Sequence, residues 1–265
     1  MKKRKFTQFK PQVRSRHPSH KPLRIGLSLL PFRSVIRLGS TTDLPDTVSN
    51  GGKRIECNTI DAVNTSSSKV LMKKAFDSVD IKTPEWWLSK DVGDIVAKDF
   101  PIIAKKIHGS RGRGMVKINN EEELGTFLQG NVNGYYFEKF YNYNREYRLH
   151  VTEDGCFYCC RKMLKEETPE EERWYRNDSN CTWYLESNPG FNKPSNWDEI
   201  EAECVKAIKA VGLDIGACDV RVQSDAKESP KYTLIEVNSA SSFGDITLEK
   251  YREEIPKVLR KKAIA

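Results

Sequence analysis

The 265-residue chain contains no apolar run long enough to cross a membrane. Residues 23–32 are too short, and too interrupted by Arg24 and Pro31, to read as a signal peptide. No Asp or Glu occurs before Asp43, whereas residues 1–42 carry eleven Lys or Arg, so the net charge of +7 divides into +11 there and −4 elsewhere. Residues 1–22, with Pro11, Pro18 and Pro22, also lack the apolar content of a folded unit. They read as a basic disordered arm that can meet nucleic acid or an acidic partner through residues 1–21. Cysteine offers no paired framework: seven scattered thiols imply a reducing, cytoplasmic setting. Cys156 and Cys159 have C-x-x-C spacing, but no second pair follows, so a packed strand with buried thiols is expected there in place of zinc. No internal repeat occurs, and the length suits one multi-lobed enzyme.

Two familiar phosphate loops are absent as well. No Gly-Lys-Ser/Thr follows the glycines of the chain, and no acid sits about 20 residues beyond a helix that glycines open. The stretch Pro101-Ile102-Ile103-Ala104-Lys105-Lys106-Ile107-His108 instead reads as a buried strand ending in lysine. Gly109, Gly112 and Gly114 then let backbone N–H groups approach a phosphate chain closely, with Ser110 between them.

Further along, Thr233-Leu234-Ile235-Glu236-Val237-Asn238 alternates as a strand, which places Glu236 and Asn238 on one face. A carboxylate and an amide oxygen so placed suit a hard cation such as magnesium, whose other positions go to phosphate and water. Asp219, in the strand Gly216-Ala217-Cys218-Asp219-Val220-Arg221-Val222, supplies a third oxygen if the two strands pair. Tyr136-Phe137-Glu138-Lys139-Phe140-Tyr141 reads as a hinge whose backbone meets an adenine edge, and Glu146 can accept from ribose hydroxyls.

Lys69, Lys105, the loop from Gly109 to Gly114, Glu138, Glu146, Lys162, Asp219, Glu236 and Asn238 have the order and approximate spacing of the ATP-grasp superfamily. The chain resembles its carboxylate–amine ligase branch, including ligases that add glutamate to protein C-termini. Val35-Ile36-Arg37-Leu38-Gly39-Ser40, Glu236-Val237-Asn238-Ser239-Ala240, Thr247 and Tyr251 are similar to the small ligases of this type in bacteria and their viruses. The resemblance implies ATP and Mg2+ as cofactors, a carboxylate substrate and an amine acceptor, either of which can be a peptide or protein, and no membrane. It implies that Lys69 and Lys105 contact the α and β phosphates with the loop Gly109, Ser110, Gly112 and Gly114. Glu138, Lys139 and Phe140 would read adenine, and Glu146 ribose, with Arg148 as a neighbouring candidate. Lys162 would neutralise the γ phosphate, with Arg161 competing. Arg176 would meet substrate more readily than Asn177, which stands one place early, and Arg221 or Arg176 would stabilise the transferring group. Asp219, Glu236 and Asn238 would hold two magnesium ions. The chain departs from the family where Ser239-Ala240-Ser241-Ser242-Phe243-Gly244 replaces a Pro-Gly pair, so acceptor identity is not inherited.

The expected fold is α+β: an ATP-grasp fold with two α+β lobes sandwiching ATP after a short, incomplete α/β pre-grasp lobe. That lobe spans residues 23–65, with strands over 25–30 and 34–38 and a loop over 43–53. The ATP lobe with its glycine-rich lid spans 66–134, and the lobe with adenine hinge and metal site spans 135–265. A serine at 66, 67 or 68 caps a helix through Phe76, and residues 121–129 and 197–211 have helical character. Residues 165–196 read as an insertion or substrate loop. The expected activity is amide or peptide bond formation through an acyl phosphate, releasing ADP and phosphate. Its alternatives are an ATP-grasp kinase acting on a hydroxyl and a non-catalytic nucleic-acid-binding protein.

Overall fold

The structure, a computed structural model, describes residues 8–43, 54–109, 112–177, 179–223 and 230–265. Three sheets organise them. The first is parallel, in the order β1 (Gln12–Ser15), β2 (Ser34–Leu38), β3 (Ile55–Cys57). The second is antiparallel, ordered β4 (Trp86–Leu88), β7 (Tyr135–Lys139), β5 (Ile102–Lys106), β6 (Val116–Ile118). The third, also antiparallel, runs β10 (Cys181–Leu185), β9 (Gly155–Leu164), β8 (Arg145–Thr152), β11 (Ile215–Val222), β12 (Tyr232–Asn238).

Each sheet buries one face against helices. Tyr147, Leu149, Val220 and Leu234 of the third sheet pack with Ile200, Cys204 and Ile208 of α5 (Trp197–Ala210) and with Met72 and Phe76 of α3 (Lys69–Asp77). Ile36 and Leu38 of the first sheet meet Tyr251, Ile255 and Leu259 of α6 (Asp245–Ile264). Ile102, Ala104 and Phe137 of the second sheet pack with Leu124 of α4 (Glu121–Leu128). α1 (Leu23–Gly26) and α2 (Ile60–Ser67) complete the helices. No described helix is long and apolar enough to cross a membrane.

Several expectations change. The arm is folded from Gln8 onward: β1 pairs in parallel with β2, Val13 is buried, and Leu30 exchanges backbone hydrogen bonds with Phe9. Composition misleads here because this strand is held by backbone bonds and a single apolar side chain, not by an apolar face of its own. Residues 1–7 lie outside the described residues, as do most of the loop expected over 43–53. The strand expected over 25–30 is instead α1 followed by irregular backbone, with Ile25 exposed. Ser68 is the serine that caps α3, accepting from the Leu71 N–H. The polar segment 165–196 contributes β10, an edge strand on β9. All seven cysteines are free, and only Cys156 among them is not fully buried.

His20 anchors the refolded N-terminus. Its ring is fully buried between Ser15 Oγ at 2.5 Å and the Ser241 carbonyl at 2.7 Å. Burial lowers its pKa to about 4, and burial, followed by the charge of Arg148, lowers that of His150 to about 3. Both groups protonate more readily when unfolded, so the unfolded state gains protons first as pH falls below about 6.5. Stability should therefore hold above that pH and decline from it toward pH 4.5, before most carboxylates titrate. Melting temperatures across this window check the sign: His20→Gln should flatten part of the decline, and a wild-type melting temperature that is constant from pH 7 to 4.5 would contradict it.

Candidate active site

Strand alternation brings the charged residues to the face of the third sheet opposite its core. Glu146 and Arg148 on β8, Lys162 on β9, Asp219 and Arg221 on β11, and Glu236 and Asn238 on β12 line one cavity of about 470 Å3. The second sheet supplies Lys105, Lys106 and Tyr136, and α3 supplies Lys69. A bulge in β12 sets the metal-side geometry. Val220 faces Leu234 across the ladder, yet Asp219 faces Glu236, so Ile235 is the additional residue. In a regular ladder, with Ile235 opposite Asp219, Glu236 would share the core-facing side with Leu234.

The acids and bases neutralise one another. Glu146 accepts from Lys162 at 2.7 Å and from Arg221 at 3.2 Å. Asp219 accepts a fork from Arg148 at 2.7 and 2.9 Å and a bond from Lys162 at 2.9 Å. Glu236 takes Lys69 on one oxygen and the Asn238 amide at 2.8 Å on the other. Beneath the cavity, Glu138 receives Lys105, Lys73 at 3.3 Å and the Tyr136 hydroxyl at 3.2 Å. Burial alone would raise the acids, but the adjacent cations outweigh it. Glu138 and Glu146 are brought down to about 2, and Asp219 is held below the usual carboxylate range. Burial likewise lowers Lys73 to about 8, against the pull of Glu138.

Lys162, Arg221, Lys69, Lys105, Gly109, Gly112, Glu146, Asp219, Glu236, Asn238 and Arg176 thus all line this one cavity. Gly112 and Gly114 have φ of +71° and +73°, a conformation that glycine accepts at little cost. Gly114 lies against Lys106 outside the cavity lining, and Ser110 lies outside the described residues. Glu138, Lys139 and Phe140 do not line the cavity. The Glu138 carboxylate faces two lysines, and the N–H groups of Lys139 and Phe140 donate to the carbonyls of Glu85 and Pro101 at 2.8 and 2.9 Å. An adenine edge thus has no free donor in these two N–H groups, which corrects that part of the hinge. Arg148 lines the cavity with its Nε and Nη2 on Asp219, and Arg161 points to the opposite side, where it donates to the Gly190 carbonyl. Asn177 lines the cavity beside Arg176, with its Oδ1 accepting from the N–H groups of Ser179 and Asn180.

Three contributions were missed. Lys73 stands one helical turn after Lys69, a spacing that could have flagged it. Trp183 on β10 lies 5.0 Å under Arg148 and 5.5 Å under Lys162, hidden in a segment read as loop. Arg16 and His17 reach the cavity from the N-terminal segment.

The donor set Asp219, Glu236 and Asn238 offers oxygen alone, which fits a hard divalent cation that keeps phosphate and water ligands. No group of three His, Cys, Asp or Glu suited to a metal occurs among the described residues, so an ion here depends on the amide and on ligands from the substrate.

No family model matches the chain, and no curated protein matches it in sequence. Solved structures do. D-alanine–D-alanine ligase from Bacillus anthracis complexed with ATP aligns with a TM-score of 0.64 at 13% identity, covering 96% of this chain and 97% of that one. The ATP-grasp ligase PsnB complexed with a minimal precursor aligns with a TM-score of 0.61 at 14% identity, covering 96% and 99%. Carboxyaminoimidazole ribonucleotide synthase from Aspergillus clavatus complexed with ATP aligns with a TM-score of 0.58 at 17% identity. Here the match covers 79% of this chain but about half, 54%, of that one. With a cavity between two antiparallel sheets and this agreement over nearly its whole length, the chain has the ATP-grasp fold.

Proposed function

We propose that the protein is an ATP-dependent carboxylate–amine ligase that forms an amide or peptide bond through an acyl phosphate. One observation carries this reading: Asp219 and Glu236 face each other across β11 and β12, with Asn238 beside them and Lys69, Lys105, Lys162, Arg148 and Arg221 around them. Such a cluster is built to hold a polyphosphate with its cation. PsnB, which shares the fold, has been solved with a phosphomimetic variant of its minimal precursor, Mg and ADP.

Bound ATP would exchange its phosphate oxygens for the carboxylates that now hold Lys69, Lys105 and Lys162. Asp219, Glu236 and Asn238 would hold magnesium, which would offset charge on the transferring phosphoryl group. A carboxylate is a poor electrophile, and phosphorylation converts it into an acyl phosphate open to attack by an amine. Lys162, once exchanged onto phosphate, and Arg221, held in place by Glu146 before substrate arrives, would stabilise the γ phosphoryl as its bond to ADP breaks. Gly109, Gly112 and Gly114 would let the loop close over the intermediate and exclude water. ADP release should require a carboxylate and an amine together. ADP release with a hydroxyl substrate and no amine would favour the kinase.

Lys105 and Lys106 separate by burial. Lys105 sits on Glu138 with its side chain 12% exposed, whereas Lys106 is exposed beside the glycine loop. Lys105→Ala should weaken ATP binding about tenfold or more, the value of a charge-assisted hydrogen bond. Lys106→Ala, at the cavity rim, should cost about threefold or less. Calorimetric titration with ATP reads both, and equal losses would contradict the assignment.

A further inference from the structure

A second cavity, of about 390 Å3, opens beside the first, and the two share Arg148 and Ser242. Its chemistry differs. Tyr158, Trp183 and Leu185 line it from the sheet, Phe243 from the segment before α6, and Ile246 from the first turn of α6. Phe243 is fixed from behind by the rings of His20 and Tyr251, each at 4.2 Å. Ile246 is 44% exposed, an apolar side chain left uncovered at the cavity edge. The charged groups of the lining are Arg148, whose Nε and Nη2 are committed to Asp219 while Nη1 lies outside that fork, and the acid Asp245. The floor adds no charge, because His150 is buried with Nδ1 on the Tyr251 hydroxyl and burial keeps it neutral.

We propose that this cavity selects the residue whose carboxylate the enzyme activates, and that it takes a large apolar or aromatic side chain. Activation of that carboxylate rests on the ligase reading; the cavity and its chemistry stand on their own. A C-terminal residue placed with its carboxylate at Arg148 directs its side chain into this apolar space, next to the phosphate-binding face. Pockets of this kind bury apolar groups and orient them through a few polar contacts. Asp245 on the rim repels an acidic side chain. Ser242 and Phe243, from the segment that links β12 to α6, complete the lining.

The test is binding of tripeptides Ala-Ala-Xaa to the full chain with Mg2+ and ADP, measured by calorimetry. Complete burial of a leucine or phenylalanine side chain is worth about 10- to 100-fold over glycine. Xaa = Leu or Phe should therefore bind at least about tenfold more tightly than Gly, with Asp weakest. Ile246→Trp, which fills the cavity from an exposed position, should abolish that preference and leave Gly unchanged, and Ile246→Asp should weaken Leu and Phe while preserving the melting temperature. Equal affinities for all four peptides, no binding of any, or a preference untouched by both variants overturns the proposal. In a parallel assay with ATP and a mixed amine pool in place of ADP, selective binding without ADP release keeps the cavity assignment and removes the ligase reading; ADP release without selectivity does the reverse.

Discussion

Replacing Glu236 by glutamine is expected to reduce ADP release by about two to three orders of magnitude, the loss typical when a transition-state charge partner is removed from a preorganised site. The substitution keeps the shape of the side chain and its contact with the Asn238 amide, so the cost falls on charge. Glutamine cannot supply the anionic oxygen that a divalent cation needs beside Asp219, and phosphate charge is left uncompensated. The fold should survive, because Glu236 is 25% exposed at its side chain and lies on the cavity face, away from the core under α3 and α5. A coupled ADP assay, with a melting curve for each protein, measures both effects. Near-normal turnover by folded Glu236→Gln protein would remove Glu236 from the metal site.

Lys162→Met is expected to act on stability as well as on activity. The ammonium lies between Glu146 and Asp219, all three almost fully buried, and these acids raise its pKa against the opposing effect of burial. Removing it leaves two buried carboxylates, diagonal neighbours on β8 and β11, with less compensation. Breaking a buried ion pair from one side costs about 3–5 kcal/mol. Arg148 and Arg221 remain, so the loss should sit at the lower end of that range. Adding Glu146→Gln to Lys162→Met should recover part of the stability but none of the activity, a coupling that chemical denaturation of both single variants and the double variant resolves. Unchanged stability in Lys162→Met would show that the triad is not held as described.

The parts of the site that follow from alternation were legible. Glu146 and Arg148, and Asp219 and Arg221, each stand two apart on strands whose other face is apolar, so their convergence needs only that the strands pair; Glu236 and Asn238 join them through the irregularity at Ile235. What alternation could not show was the Ile235 bulge, because a ladder irregularity depends on both partners and leaves no single-strand signature. Burial was misjudged for the same reason in β1 and β10, whose side chains look polar and whose order comes from neighbouring backbone. Glu138 shows the converse case: its place between apolar residues suggested a hinge, whereas Lys73 and Lys105 give it a buried partner set visible only once Lys73 of α3 reaches across to β7.

The most direct measurement follows oxygen. If the γ phosphoryl passes to a carboxylate and an amine then displaces phosphate, one carboxylate oxygen must leave with that phosphate. A peptide and amino-acid pool with 18O in its carboxylates should therefore yield inorganic phosphate carrying one 18O per turnover, read by mass spectrometry alongside ADP. Unlabelled phosphate, or phosphate retained on a hydroxyl product, would contradict a carboxylate–amine ligase.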